Sequence, residues 1–181
     1  MHHSTLEGPA GEGEGREIRI VGYRDELRPH FERLNRAWIE RHFVLEAPDL
    51  EVFHDPVRHI LEPGGQIFFL LDDEGVQGTC AVLPHGPGTF ELAKMAVDPS
   101  AQGRGHADRL MAAALDWARA RGAARVMLVT NSALTPALRL YAKHGFRRVP
   151  VDPANGYARA DVQMELALGP HEPRGVPAAG E

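Results

Sequence analysis

Between Met95 and Ala107 the chain reads Met-Ala-Val-Asp-Pro-Ser-Ala-Gln-Gly-Arg-Gly-His-Ala, leaving an apolar run, turning at Asp98-Pro99 and entering a long stretch of helical periodicity. Gly103 and Gly105 let the backbone turn tightly and approach a ligand, and the first amides of a helix have no partner inside it. With the positive end of the helix dipole behind them, such amides suit an anion, and a pyrophosphate would sit well there. A Gly-x-Gly turn also serves as a plain strand–helix connection, so its neighbours must decide. The stretch lacks the Gly-x-x-x-x-Gly-Lys-Ser/Thr of a P-loop. It also follows antiparallel strands late in the chain, which disfavours a dinucleotide fingerprint.

The elements that must position this loop follow from periodicity. Glu17–Val21 alternates as a strand does, and Leu27, Phe31, Leu34, Trp38 and Ile39 recur at helical spacing through Phe43. Val52–Leu61 suggests a short second helix interrupted by Pro56, before a turn at Glu62-Pro63-Gly64-Gly65. Three short runs, Ile67–Leu71, Val76–Leu83 and Thr89–Val97, are separated by turn residues and predict successive antiparallel strands. Arg104–Arg121 carries Ala107, Leu110, Met111, Ala114, Leu115 and Ala118 on one face and stops before Gly122, which predicts a long helix. Arg125–Thr130 reads as a strand. Thr135 and Pro136 suit the N-cap and first position of a helix reaching His144 and ending at Gly145. Phe146–Val149 begins another strand, and Val162–Leu168 alternates as a half-buried one. The order β-α-α-β-β-β-α-β-α-β-β is that of an α/β (α+β) domain.

Gln102, Gly105 and Ala107 match the Gln/Arg-x-x-Gly-x-Gly/Ala loop of the GNAT (GCN5-related) N-acetyltransferases. Glu91–Val97 before it, and Leu140-Tyr141-Ala142-Lys143-His144-Gly145-Phe146 after it, resemble the family's adjoining motifs. The resemblance covers nearly the whole body of the chain. It implies a mixed, mostly antiparallel central sheet with a splayed strand and helices on both faces, and transfer of an acetyl group from acetyl-CoA to an amine. By position it gives the pantetheine arm the backbone of Met95, Ala96 and Val97. The pyrophosphate falls to the amides of Gln102, Gly103, Arg104, Gly105, His106 and Ala107.

The same resemblance suggests roles for two side chains. Glu91, four residues before Met95, would take the proton that an ammonium must lose before it attacks, and burial in the cleft would raise its pKa. Its other reading is a strand-end carboxylate, exposed or paired with Lys94. Tyr141 would assist departure of the thiolate, although a tyrosine on such a helix ordinarily belongs to the core. Two positions depart from the pattern. Leu134 stands where many members carry an asparagine, so the cofactor contact passes to Asn131 by a shifted path. Asp108, just inside the helix, would repel a phosphate unless it turns outward.

The acceptor side of the cleft maps to the segment around Trp38, Glu40 and Glu46, with Arg159 and Asp161 later in the chain; the acidic members would suit a cationic amine. The competing reading of Trp38–Glu46 is an amphipathic packing helix. His54 and His59 lack a tight metal-ligand spacing and read as a solvated face, and Cys80 reads as a small buried hydrophobe. No metal is expected.

Composition sets the outer bounds. With 181 residues, 43% of them hydrophobic, one domain is the default. A net charge of −5 offers no basic footprint for nucleic acid. The longest apolar run, Ile67–Leu71, is far too short to span a membrane. A single cysteine points to a reducing, cytoplasmic setting. The Gly/Glu-rich residues 1–15 and the Pro/Gly-rich residues 169–181 read as disordered tails around a domain at 16–168. A homodimer is compatible with the sequence, and the acceptor is left open between a small molecule and a protein amine. A GNAT-like module that binds acyl-CoA as a sensor, or an interaction module without catalysis, is the alternative.

Overall fold

The computed structural model describes residues 17–169. Apart from Gly169, the tails expected at 1–15 and 169–181 lie outside the described residues. Strands β1 (Arg19–Gly22), β2 (Gln66–Asp72), β3 (Gly75–Pro84), β4 (Thr89–Val97), β5 (Arg125–Thr130), β6 (Arg147–Val149) and β7 (Val162–Ala167) form one sheet in the order β1-β2-β3-β4-β5-β7-β6. Every neighbouring pair is antiparallel except β4 and β5. Helices α1 (Arg28–His42), α2 (Ala47–His54), α3 (His106–Ala120) and α4 (Thr135–Lys143) complete the architecture. Among the described residues no helix is long and apolar enough to cross a membrane.

Sheet burial follows the strand period of two. In β2, Phe68 and Leu70 face Leu110, Met111, Ala114 and Leu115 of α3, while Ile67 and Phe69 face Phe31, Leu34 and Ile39 of α1. Helices therefore cover both faces, and β2 is a continuous apolar run because neither side meets water. Gly65 admits the chain to β2 at very close quarters. A Cβ there would stand 2.4 Å from the Val82 carbonyl oxygen and 2.5 Å from that of Ile60.

Two helix starts differ from the sequence expectation. The second helix begins at Ala47 and ends at His54, and a π-helical turn at Val57–Leu61 follows it. Pro48 sits in its first turn, where a missing N–H costs nothing. Glu46 and Asp49 form a reciprocal capping box, and Asp49 Oδ2 accepts from the Glu46 amide at 2.9 Å. In α4, Thr135 is already helical, Leu134 holds the cap position without a side-chain cap, and Pro136 lies in the first turn.

β4 and its neighbours create the opening. The register with β3 jumps from Ala81–Ala93 to Thr79–Ala96, so Lys94 and Met95 together face Cys80. Lys94 adopts φ 54°, the only non-glycine positive φ among the described residues. Such a bulge increases local twist and turns the strand. On its other side β4 pairs with β5 only at Thr89–Glu91 against Arg125–Met127.

Candidate active site

Beyond Glu91 the two parallel strands part. The remainder of β4 stays bonded to β3 and turns its free edge to a cleft of about 740 Å³, lined by Met95, Ala96 and Val97 on one wall and by Val129 and Thr130 of β5 on the other. This is the wedge implied by the splayed strand, and it leaves backbone donors and acceptors facing the cleft.

The turn after β4 leads into the base of the same cleft. Asp98 caps the short 3₁₀ turn Pro99–Ala101 through the Ser100 amide at 3.0 Å, and its other oxygen accepts from Arg33 of α1 at 3.0 Å. Gly103 and Gly105 both take φ 77°, and a Cβ on either would meet nothing within 4 Å. Gly105 is the cap residue of α3, no side chain caps that end, and the first-turn amides are left without intrahelical partners. Gln102, Gly105, His106 and Ala107 line the cleft. The Arg104 side chain turns away to donate to the Ser100 carbonyl at 3.2 Å. His106 is buried, and neither ring nitrogen has a hydrogen-bond partner among the described residues. Burial, with Arg104 and Arg109 nearby, lowers its pKa against the opposing pull of Asp72.

Asp108, expected to repel a phosphate unless turned outward, does not present a naked charge at the start of α3. It accepts from Lys143 at 2.8 Å and lies 2.9 Å from His144 Nε2, and both contacts hold its pKa down.

Glu91 lies where β4 and β5 part and lines the cleft, its side chain 23% exposed. Burial raises its pKa, while His85 and Lys94 pull the other way. Its nearest ionisable contact is His85 Nδ1 at 3.7 Å. Lys94 is not its ion-pair partner, because that ammonium is held by Asp49 and by the Tyr157 hydroxyl at 3.0 Å. Tyr141 projects from α4 into the cleft with its ring against Phe146 at 6.1 Å, and burial pushes its pKa up to about 12.

The residues expected on the acceptor side divide. Trp38 lines the cleft, stacked at a tilt with His42 at 5.5 Å and Phe43 at 6.2 Å. Glu40 lies outside it, on the exposed face of α1, and accepts from Arg36 one turn earlier at 3.3 Å. Glu46 is also outside, where it accepts from the amides of Ala158 at 2.9 Å and Arg159 at 3.2 Å. Asp161 turns to Ser132, accepting from its amide at 2.7 Å and its hydroxyl at 2.6 Å. Arg159 lines the cleft. Asn131 lines it too, but its amide donates to the Arg159 carbonyl at 2.7 Å, tying the loop after β5 to the loop before β7.

A family model described as the acetyltransferase (GNAT) family matches residues 23–146. The chain belongs to that family. Solved structures agree on the fold. A GNAT acetyltransferase from Staphylococcus aureus Mu50 superposes with a TM-score of 0.77 at 15% identity, covering 84% of this chain and 100% of the other. The PaiA N-acetyltransferase of Thermoplasma acidophilum, solved in complex with coenzyme A, gives 0.68 at 14% identity over 84% and 99%. Among curated relatives, the mycothiol acetyltransferase of Streptosporangium roseum is 47% identical over 62 residues, 34% of this chain and 18% of that one. That of Rhodococcus erythropolis is 35% identical over 106 residues, 55% and 35% of the two. This chain thus spans little more than a third of those relatives at most.

This GNAT domain also carries a cluster that sequence reasoning missed. Asp49 is fully buried and receives Arg159 in a two-pronged pair at 2.7 and 2.8 Å, as well as the Lys94 ammonium. Burial alone would raise its pKa, but hydrogen bonds from Arg159, Lys94 and the Glu46 amide outweigh it and bring the value to about 2. The Tyr157 ring lies under both cations, 4.8 Å from Lys94 Nζ and 4.6 Å from the Arg159 guanidinium. One carboxylate of α2 therefore joins the β4 bulge to the loop before β7.

Proposed function

We propose that the protein moves the acetyl group of acetyl-CoA to a primary amine by direct attack within a ternary complex. The observation that carries this reading is the parting of β4 and β5 at Glu91, which opens onto the uncapped N-terminus of α3. The residues present fit the donor. The free edge of Met95–Val97 suits the amides of a pantetheine arm, and the open space beside Gly103 and Gly105 leaves room for phosphate oxygens at the α3 amides. The bound donor supplies an acyl carbonyl already activated by its thioester.

The chain's own groups then have two tasks. Glu91 accepts the proton of the incoming ammonium, and the pKa raised by burial makes it a better base than a solvated glutamate. His85, 48% exposed at the hairpin before β4, lies where that proton can pass on to water. Tyr141 stands protonated, since burial pushes its pKa up to about 12. Its hydroxyl is therefore available to donate to the sulfur as the C–S bond breaks, while the second proton of the attacking nitrogen leaves to solvent.

The test is a steady-state assay of the purified chain with acetyl-CoA and a panel of primary amines, following both free thiol and the acetylated amine. Acetyl-CoA-dependent N-acetylation of any member supports the reading. Acetyl-CoA binding with neither acetyl transfer nor thioester hydrolysis would favour a sensor instead.

A further inference from the structure

We infer that the acceptor is an amine that also carries a carboxylate, and that Arg41 is the residue that selects it. The inference rests on the acetyltransferase reading and deepens it. A cleft that recruits a bare ammonium is expected to present carboxylates. Here the acidic candidates are engaged elsewhere: Glu40 pairs with Arg36 on the outer face, and Glu46 caps α2 and holds the backbone at Ala158 and Arg159. Asp49 spends both oxygens on Lys94 and Arg159, so this buried group of two cations and two carboxylates is close to neutral.

That accounting leaves Glu91, whose chemistry is to take the amine's proton and whose ion-pair contact is the half-exposed His85 at 3.7 Å. Two exposed arginines line the cleft with no ion pair among the described residues: Arg139 on α4, beside Tyr141, and Arg41 in the last turn of α1, on the wall that carries Trp38. Arg41 stands beside the ring cluster Trp38–His42–Phe43, so the wall offers a guanidinium fork next to an aromatic surface. An amino carboxylate with an apolar body satisfies all three features: amine toward Glu91, carboxylate on Arg41, body against the rings.

The probe is a matched set of L-phenylalanine, L-phenylalaninamide and phenethylamine, which share a body and an amine and differ in the anion. Each is assayed for kcat/KM with the wild-type chain and with Arg41→Gln, and acetyl-CoA binding is measured in parallel. Taking the ratio of acid to amide within each enzyme cancels the different reactivities of the amines themselves. Arg41→Gln is expected to lower that ratio about tenfold, the scale of a charge-assisted hydrogen bond. An unmoved ratio would mean that Arg41 only answers the α1 dipole, and would overturn the inference. So would turnover of the amide and phenethylamine without the acid, or acetyl-CoA binding with none of the three acetylated. Failure to bind acetyl-CoA at all would instead overturn the acetyltransferase reading beneath it.

Discussion

Replacing Asp49 with asparagine keeps the shape of the side chain and removes one charge from a fully buried site. Arg159, its side chain 18% exposed, would keep Glu46, but Lys94, only 8% exposed, would lose its carboxylate partner. Leaving a buried charge uncompensated costs about 3–5 kcal/mol, which for a domain of this size is on the order of 10 °C in Tm. The pH dependence provides a second, independent number. Asp49 is lowered from 3.8 to about 2 in the folded chain, and at about 1.4 kcal/mol per unit this contributes roughly 2 kcal/mol. Because the folded value is the depressed one, the contribution is present above pH 3.8 and is lost as pH falls toward 2. Urea unfolding of both proteins from pH 7 to pH 2.5 measures the gap. It should be full at neutral pH and shrink below pH 4. A gap under about 1 kcal/mol at pH 7, or one that stays constant into acid, would refute the reasoning.

Glu91→Gln should lower kcat by about 10²–10⁴ with acetyl-CoA affinity retained. The wild-type kcat/KM profile should show an acid limb above the ordinary glutamate range, with activity rising as Glu91 loses its proton; full activity of the variant would contradict this. Tyr141→Phe should reduce kcat about ten- to hundredfold, the scale of one hydrogen bond to a charged group, without moving that acid limb. Gly65→Ala, remote from the chemistry, should destabilise the fold by about 3 kcal/mol or more. The obstructing atoms are two backbone carbonyl oxygens, and a shift in urea midpoint reads the effect.

The half of the molecule that holds the β4–β5 wedge was legible because its signals are local. β4 and β5 occupy the residues that alternation and turn chemistry predict, Thr89–Val97 and Arg125–Thr130. The glycines of the loop take the positive φ for which glycine is the natural residue. Periodicity alone starts the second helix too late, because Pro48, Asp49 and Glu51 dilute its apolar face, although the proline in its first turn and the Glu46/Asp49 capping box mark its start. The acceptor wall was the least legible. Glu40 looks available until one sees Arg36 four residues away on the same face. Asp49 looks like a surface residue because its partners lie 45 and 110 positions along the chain. Lys94 in turn reads as a local partner for Glu91, since nothing in its own neighbourhood signals a bulge at that position.

The central claim is that the wedge between β4 and β5, with the α3 N-terminus at its base, is a cofactor site. Calorimetric titration of acetyl-CoA into the wild-type chain and into Gly105→Glu tests it most directly. Gly105 faces open space and its φ of 77° costs a side-chain-bearing residue about 1–2 kcal/mol, so circular dichroism should find the variant folded. One-to-one binding by the wild type, lost when a carboxylate occupies the phosphate cradle, is the predicted result. No binding by the wild type, or undiminished binding by the folded variant, would contradict it.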